Sequence, residues 1–180
     1  MQRGVVLACA LPCCDVRGNN LTGMIPDNIG NCTSFEILGI SYNQITGEIP
    51  YNIGFLQVAT LSLQGNMLTG TIPEVIGLMQ ALAVLDLSEN ELVGPIPQIL
   101  GNLLYTGKFV HVNRLNGTLP SGLKHLQSLT YLNLSSNHFR GSIPFELGHI
   151  INLDTLDLSS NNFSGSVPAS VGDLEHLLTL

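Results

Sequence analysis

The sequence predicts an α/β solenoid, a right-handed superhelix with a concave parallel β-sheet and a convex face of short 3₁₀ or irregular segments. Three observations lead there. Seven prolines recur in register (Pro26, Pro50, Pro73, Pro97, Pro120, Pro144 and Pro168), at spacings of 24, 23, 24, 23, 24 and 24 residues. Seven asparagines keep the same beat: Asn19, Asn43, Asn66, Asn90, Asn113, Asn137 and Asn161. A fixed phrase runs between each pair, as in LTGTIP at Leu68–Pro73 and FSGSVP at Phe163–Pro168. Such a period marks an array in which each unit buries its apolar face only against its neighbours.

The unit reads L-x-x-L-x-L-x-x-N-x-L-x-G-x-I-P-x-x-L/I-G-x-L. Its first half, for example Leu82, Leu85 and Leu87 before Asn90, predicts a short strand with alternate side chains inward. The Asn stands at the corner where that strand ends, and its amide can satisfy backbone groups of adjacent turns as a ladder. The Gly permits a backbone turn closed to other residues, and the Pro sets an extended path on the far side. The remainder, such as Glu74–Gln80, has room for no more than a helical turn. Residues 14–180 therefore form one repeat domain of seven units, with an eighth begun at the C-terminus.

Composition narrows the function. Net charge is −7, the wrong sign for a nucleic-acid surface. No run of eighteen residues is apolar enough for a membrane span, although 44% of the chain is apolar. Residues 1–13 stand outside the repeat. Arg3, a short apolar run and Ala8-Cys9-Ala10 have the pattern of a short signal peptide, the alternative being a gene-model artefact. The four cysteines, Cys9, Cys13, Cys14 and Cys32, lack zinc spacing, and their pairing is open. No cofactor, metal site or catalytic arrangement emerges. His125 and His149 fall at one place in adjacent repeats without a third ligand, as solvent-facing loop residues would.

The phrase L-x-G-x-I-P at this period resembles the plant-specific class of leucine-rich repeats found in extracellular receptor kinases and receptor-like proteins. Asp15–Gly23, Asn31–Asn102 and Leu129–Leu178 resemble the ectodomain of the ERECTA family, down to non-consensus strings such as GFLQVATLSLQGN. That resemblance implies a cell-surface location and recognition of secreted cysteine-rich peptides, with a leucine-rich-repeat co-receptor or receptor-like protein as partner. Set against the family pattern, the residues given are expected to stand without the cysteine-bearing amino-terminal cap, the transmembrane segment and the kinase. Its fifth repeat is also irregular. In Tyr105–Asn113 the inward position matching Leu61 and Leu85 is Lys108. A lysine there is expected to snorkel outward, or the strand to shift and bury Phe109, leaving irregular geometry around Gly107–Val112. Gln98–Lys108 and Arg114–Pro120 resemble two different family repeats, which implies an internal deletion joining them, the alternative being ordinary divergence.

Outward strand positions make the concave face. Counted back from each Asn, one column reads Asp15, Gly39, Ser62, Asp86, Phe109, Asn133, Asp157 and the next Arg17, Ser41, Gln64, Ser88, His111, Ser135, Ser159. The third reads Gly18, Tyr42, Gly65, Glu89, Val112, Ser136, Ser160. Against that background the candidate binding residues are Tyr42, Gln64, Asp86, Glu89, Phe109, His111, Tyr131, Asp154 and Asp157. Acidic groups beside aromatics suit a basic peptide. The alternative is a solvated face whose working contacts lie elsewhere. Five sequons, at Asn20, Asn31, Asn116, Asn133 and Asn162, fit an extracellular glycoprotein. A glycan on Asn133 would stand on the concave face and block it locally.

A peptide-receptor ectodomain segment leads the functional readings. A secreted inhibitor of a cell-wall-degrading enzyme, resembling polygalacturonase inhibitors, is the second, and a truncated non-signalling repeat protein the third. Terminal leucines such as Leu174, Leu177, Leu178 and Leu180, with Leu11, Cys14 and Val16 at the other end, predict apolar ends and end-to-end self-association.

Overall fold

The computed structural model describes the backbone of residues 13–103 and 107–179, and their side chains except at 107–109. Calls on the leader, Cys9, Leu11, Tyr105, Leu180 and the side chains of Lys108 and Phe109 lie outside the described residues. Seven parallel strands form one sheet: Cys13–Asp15, Ile37–Gly39, Thr60–Ser62, Val84–Asp86, Gly107–Phe109, Tyr131–Asn133 and Thr155–Asp157. Each ends four residues before its ladder Asn. Strand order follows chain order, because each unit can reach only its neighbours. Inward residues such as Leu38, Leu61, Leu85, Leu132 and Leu156 meet in one continuous core with the leucines and isoleucines of the far side. Each contributes about 1.5–3 kcal/mol by leaving water.

The ladder is built as its chemistry requires. Asn90 Nδ2 donates to the carbonyls of Leu87 (3.1 Å) and Ser88 (2.9 Å) in its own turn and of Leu63 (3.1 Å) in the preceding repeat. Its Oδ1 accepts from the Leu68 amide of that same preceding repeat at 3.0 Å. Asn43, Asn66, Asn113, Asn137 and Asn161 repeat the pattern. Among the described residues Asn19 donates within its own turn, to Val16 and Arg17.

Beyond the ladder the structure adds strands that the repeat phrase did not predict. Thr22–Met24, Gln44–Glu48 and Met67–Thr69 form a second parallel sheet, and Val93–Gly94, Arg114–Gly117, His138–Gly141 and Asn162–Phe163 a third. An isolated bridge between Thr71 and Val93 joins the two. The phrase glycine sits in each at positive φ, from +74° at Gly70 to +97° at Gly23, where a Cβ is strained. Among the described residues the convex side carries seven 3₁₀ helices of five residues, from Asp27–Asn31 to Ala169–Asp173, each begun by a repeat proline in extended conformation. Among the described residues no helix is long and apolar enough to cross a membrane.

Two expectations are corrected or sharpened here. Residue 108 pairs in register with Leu85 and Leu132, and residue 109 with Asp86 and Asn133, so the backbone of the fifth strand keeps the register of its neighbours. A slip of one residue would break pairing with both neighbours at once, and the two flanking ladder asparagines hold the strand in place. The backbone at Val112 follows its column, at φ +51° like Tyr42, Glu89, Ser136 and Ser160, and what is unusual there is only a β-branched side chain in that conformation. At the C-terminal end Leu174 and Leu177 pack against the core, whereas Leu178 is 85% exposed. Ile143, Leu156, Leu158, Val167 and Val171 line an open apolar groove there. Cys14 and Val16 are half-buried against the core at the other end. Cys32 is buried and disulfide-bonded, and Cys13 and Cys14 are free thiols.

Candidate ligand-binding face

Strand alternation projects two columns from the sheet, and its register aligns them across all seven repeats. Much of this surface is small hydroxyls tied to one another. Ser41 and Ser62 share a hydrogen bond at 2.8 Å, Ser88 Oγ donates to Asp86 Oδ1 at 2.6 Å, and Ser135 Oγ donates to Asn133 Oδ1 at 2.7 Å. Larger side chains therefore stand out as isolated features.

Tyr42 and Glu89 belong to a different backbone class from the strand columns. The residue just before each ladder Asn adopts positive φ: +54° at Tyr42 and Glu89, +69° at Gly18, +65° at Gly65. Its amide still donates to the next repeat, Tyr42 to the Gln64 carbonyl at 2.7 Å and Glu89 to that of His111 at 2.9 Å. Both side chains thus leave from the turn at the C-terminal edge of the sheet.

Four of the nine candidates come together there. The Tyr42 ring lies against Gly65, where a Cβ would stand 2.6 Å from its Cδ1, so only glycine lets the ring rest on the next repeat. Gln64 Nε2 donates to Glu89 Oε1 at 2.8 Å. The Tyr42 phenol titrates above the usual tyrosine range, chiefly because of desolvation and then because of the charges of Glu89 and Asp86, with a Gln64 hydrogen bond opposing. Asp86 keeps one carboxylate oxygen on Ser88, through its amide at 3.1 Å and its hydroxyl. The result is a neutral aromatic hydroxyl flanked by two carboxylates and an amide, a set suited to an ammonium or guanidinium group.

His111 and Asp157 form a second, smaller group. Asp157 titrates below the usual carboxylate range: the Ser159 hydroxyl contributes most, with the Ser159 amide, Ser135 and the charge of His111 adding to it. His111 is half-buried, and its Nδ1 finds no hydrogen-bond partner among the described residues. Tyr131 and Asp154 lie at the opposite, N-terminal edge: Tyr131 pairs with Gly107 and Thr155, and the Asp154 carbonyl accepts from the Leu178 amide at 2.8 Å. They do not join the Tyr42 group. Residue 109 holds its column between Asp86 and Asn133.

Two features were not singled out from the sequence. Arg17 clasps Asp15 with two parallel bonds, Nε to Oδ1 at 2.8 Å and Nη2 to Oδ2 at 2.7 Å, lying across Gly39. Its signal was the i, i+2 spacing of opposite charges on a strand. Ile37, 39% exposed, opens an outward column one step earlier, which continues through Thr60 and Val84. Among the sequons, Asn20, Asn31, Asn116 and Asn162 are exposed. Asn133 is buried, with its amide oxygen held by the amide (2.9 Å) and hydroxyl of Ser135, the third residue of its own sequon.

The leucine-rich-repeat family model matches residues 11–32, 34–56, 57–79, 81–103, 128–150 and 152–174, and lapses across the irregular fifth repeat. No curated protein matches in sequence. Among solved structures, the chain is 38% identical over 92% of its length, with a TM-score of 0.91, to the ectodomain of the plant membrane receptor kinase GASSHO1/SCHENGEN3 from Arabidopsis thaliana, in complex with CASPARIAN STRIP INTEGRITY FACTOR 2. It is 34% identical over 92%, TM-score 0.89, to the Arabidopsis receptor kinase HAESA in complex with the peptide hormone IDA and the co-receptor SERK1. It is 32% identical over 88%, TM-score 0.77, to the plant peptide hormone receptor RGFR1 in complex with RGF2. The chain spans 20%, 28% and 30% of those three chains.

Proposed function

The chain belongs to the leucine-rich-repeat family, and from that membership we propose that it is an extracellular ligand-binding segment of a plant receptor-kinase-like protein. Its concave face reads a secreted peptide, which within the ERECTA-like reading is cysteine-rich, and a leucine-rich-repeat co-receptor or receptor-like protein completes the complex. The solved relatives that bind peptides on the same fold support this class of function. The observation that carries the reading is the group of Tyr42, Gln64, Asp86 and Glu89, which clusters two carboxylates and an aromatic hydroxyl at one edge of an otherwise small-residue face. A cationic side chain of the peptide docks there, and the hydroxyl-lined columns accept its extended backbone. The chemistry is recognition without bond-making.

The test uses the secreted chain, immobilised and challenged with secreted plant peptides rich in lysine or arginine. Replacing Asp86 with Asn and Glu89 with Gln keeps the shape and removes both charges. Loss of two charge-assisted contacts, each worth about 1.5–3 kcal/mol, predicts binding weakened by at least about a hundredfold. Unchanged affinity in the double variant, or binding that ignores peptide charge, would overturn the assignment of this cluster.

A further inference from the structure

The convex side carries an apolar patch far from the concave face. The 3₁₀ helices Asp27–Asn31 and Tyr51–Phe55 stack as consecutive turns, tied by the Asn52 Nδ2 bond to the Asp27 carbonyl at 2.8 Å. Gly30 packs closely on the second helix, where a Cβ would stand 2.6 Å from the Asn52 carbonyl oxygen. Tyr51 and Phe55 are 65% and 57% exposed, and their rings meet edge to face at 6.3 Å between centroids. Exposure of two packed rings to water is unfavourable unless something covers them. The Phe55 ring lies against Gly30, where a Cβ would stand 3.0 Å from its Cδ2, which places it next to the backbone of Asn31.

Asn31 is exposed and heads the sequon Asn31-Cys32-Thr33. Cys32, fully buried and disulfide-bonded, pins that sequon to the core. We propose that Asn31 carries an N-linked glycan whose first sugar lies on the Phe55 ring, so that the patch is covered by this chain's own carbohydrate. The apolar C–H face of N-acetylglucosamine matches an aromatic face, whose π cloud is negative. Further sugars run along the helix toward Tyr51, a distance of roughly 8 Å at about 2 Å per 3₁₀ residue. There a groove of about 730 Å³ opens, edged by Met24, Asp27, Glu48 and Tyr51. The carboxylates of Asp27 and Glu48 accept hydrogen bonds from sugar hydroxyls. The contact also stiffens the link between the first two repeats.

The inference rests on the extracellular reading only for access to the glycosylation machinery, and its test reads no peptide. The full chain is secreted from a eukaryotic host, trimmed enzymatically to single N-acetylglucosamine stumps, and mapped by mass spectrometry. The N-acetyl methyl signal at Asn31 is then followed by NMR. Expected are an occupied Asn31 and a methyl resonance shifted upfield by the ring current. Phe55→Leu, which keeps the apolar bulk, abolishes the shift while occupancy and cooperative melting persist. An unoccupied Asn31, or a methyl resonance identical in both proteins, overturns the proposal. Failure of peptide binding with the shift intact would count against the proposed function alone.

Discussion

Replacing Asn90 with Ala removes four hydrogen bonds of 2.9–3.1 Å, two of them across a repeat boundary. Its side chain is 8% exposed, and Leu68, whose amide it receives, is fully buried. Water does not reach these groups readily, so the Leu68 N–H is left unsatisfied at a cost of about 1–3 kcal/mol. The carbonyls of Leu63, Leu87 and Ser88 lose a shared donor, adding about 1–2 kcal/mol. The total, about 2–5 kcal/mol, is a large share of the roughly 5–15 kcal/mol that holds a typical domain. Asn19→Ala is the control, because Asn19 is exposed and, among the described residues, bonds within its own turn. Its loss costs about 1 kcal/mol or less. Urea denaturation of both variants, followed by circular dichroism, measures the difference. A lowered m-value in Asn90→Ala would show the array parting at the fourth repeat. Equal destabilisation of the two variants would refute the claim that inter-repeat bonds, not the local turn, give the ladder its strength.

Val112 holds a left-handed conformation that disfavours β-branched side chains, yet it is 46% exposed and has little packing to lose. Val112→Asn therefore stabilises by about 1 kcal/mol, read as a raised melting temperature; a drop would mean that the side chain packs better than its exposure implies. Asp157 titrates low in the folded state, so its contribution is present above the unfolded carboxylate pKa and is lost as pH falls through the lower folded value. Asp157→Asn should flatten the acid limb of the stability-versus-pH curve, and an unchanged limb would contradict this. Secretion from a eukaryotic host should yield occupancy at Asn20, Asn116 and Asn162 but not at Asn133, whose amide is held by Ser135; glycopeptide mapping decides.

The primary sheet, the ladder and the convex helical turns were readable because each depends on one residue with chemistry that no other supplies. Asn90 must both donate and accept, and Pro97 must start an extended turn. The second and third sheets were not readable. Strands such as Val93–Gly94 are two residues long and exist only because neighbouring turns stack, so no window of sequence contains their cause. The Tyr42–Glu89 cluster was half-legible. Both residues stood out by type, but the left-handed turn that aims them shows in the sequence only as Gly18 and Gly65 in the same column. At Asn133 a sequon records the pattern Asn-Leu-Ser without recording that its serine hydroxyl holds its asparagine. Lys108 suggested either a snorkelling side chain or a slipped strand, because side-chain cost alone does not reveal the ladder bonds on either side that hold the register.

Every internal ladder Asn reaches backward, so a repeat receives its last hydrogen bond from whatever unit follows it, and any unit with Asn at the right station will serve. Such a connection is blind to history. A recombination event that excises whole units presents the fold with a joint it already knows how to make, and only a cut out of phase is felt. The interval between Asn90 and Asn113 is 23 residues, as between Asn43 and Asn66, although its interior fits the pattern poorly. Selection on such a chain can therefore change how many surfaces it displays, and in what order, while the rule that assembles them stays untouched.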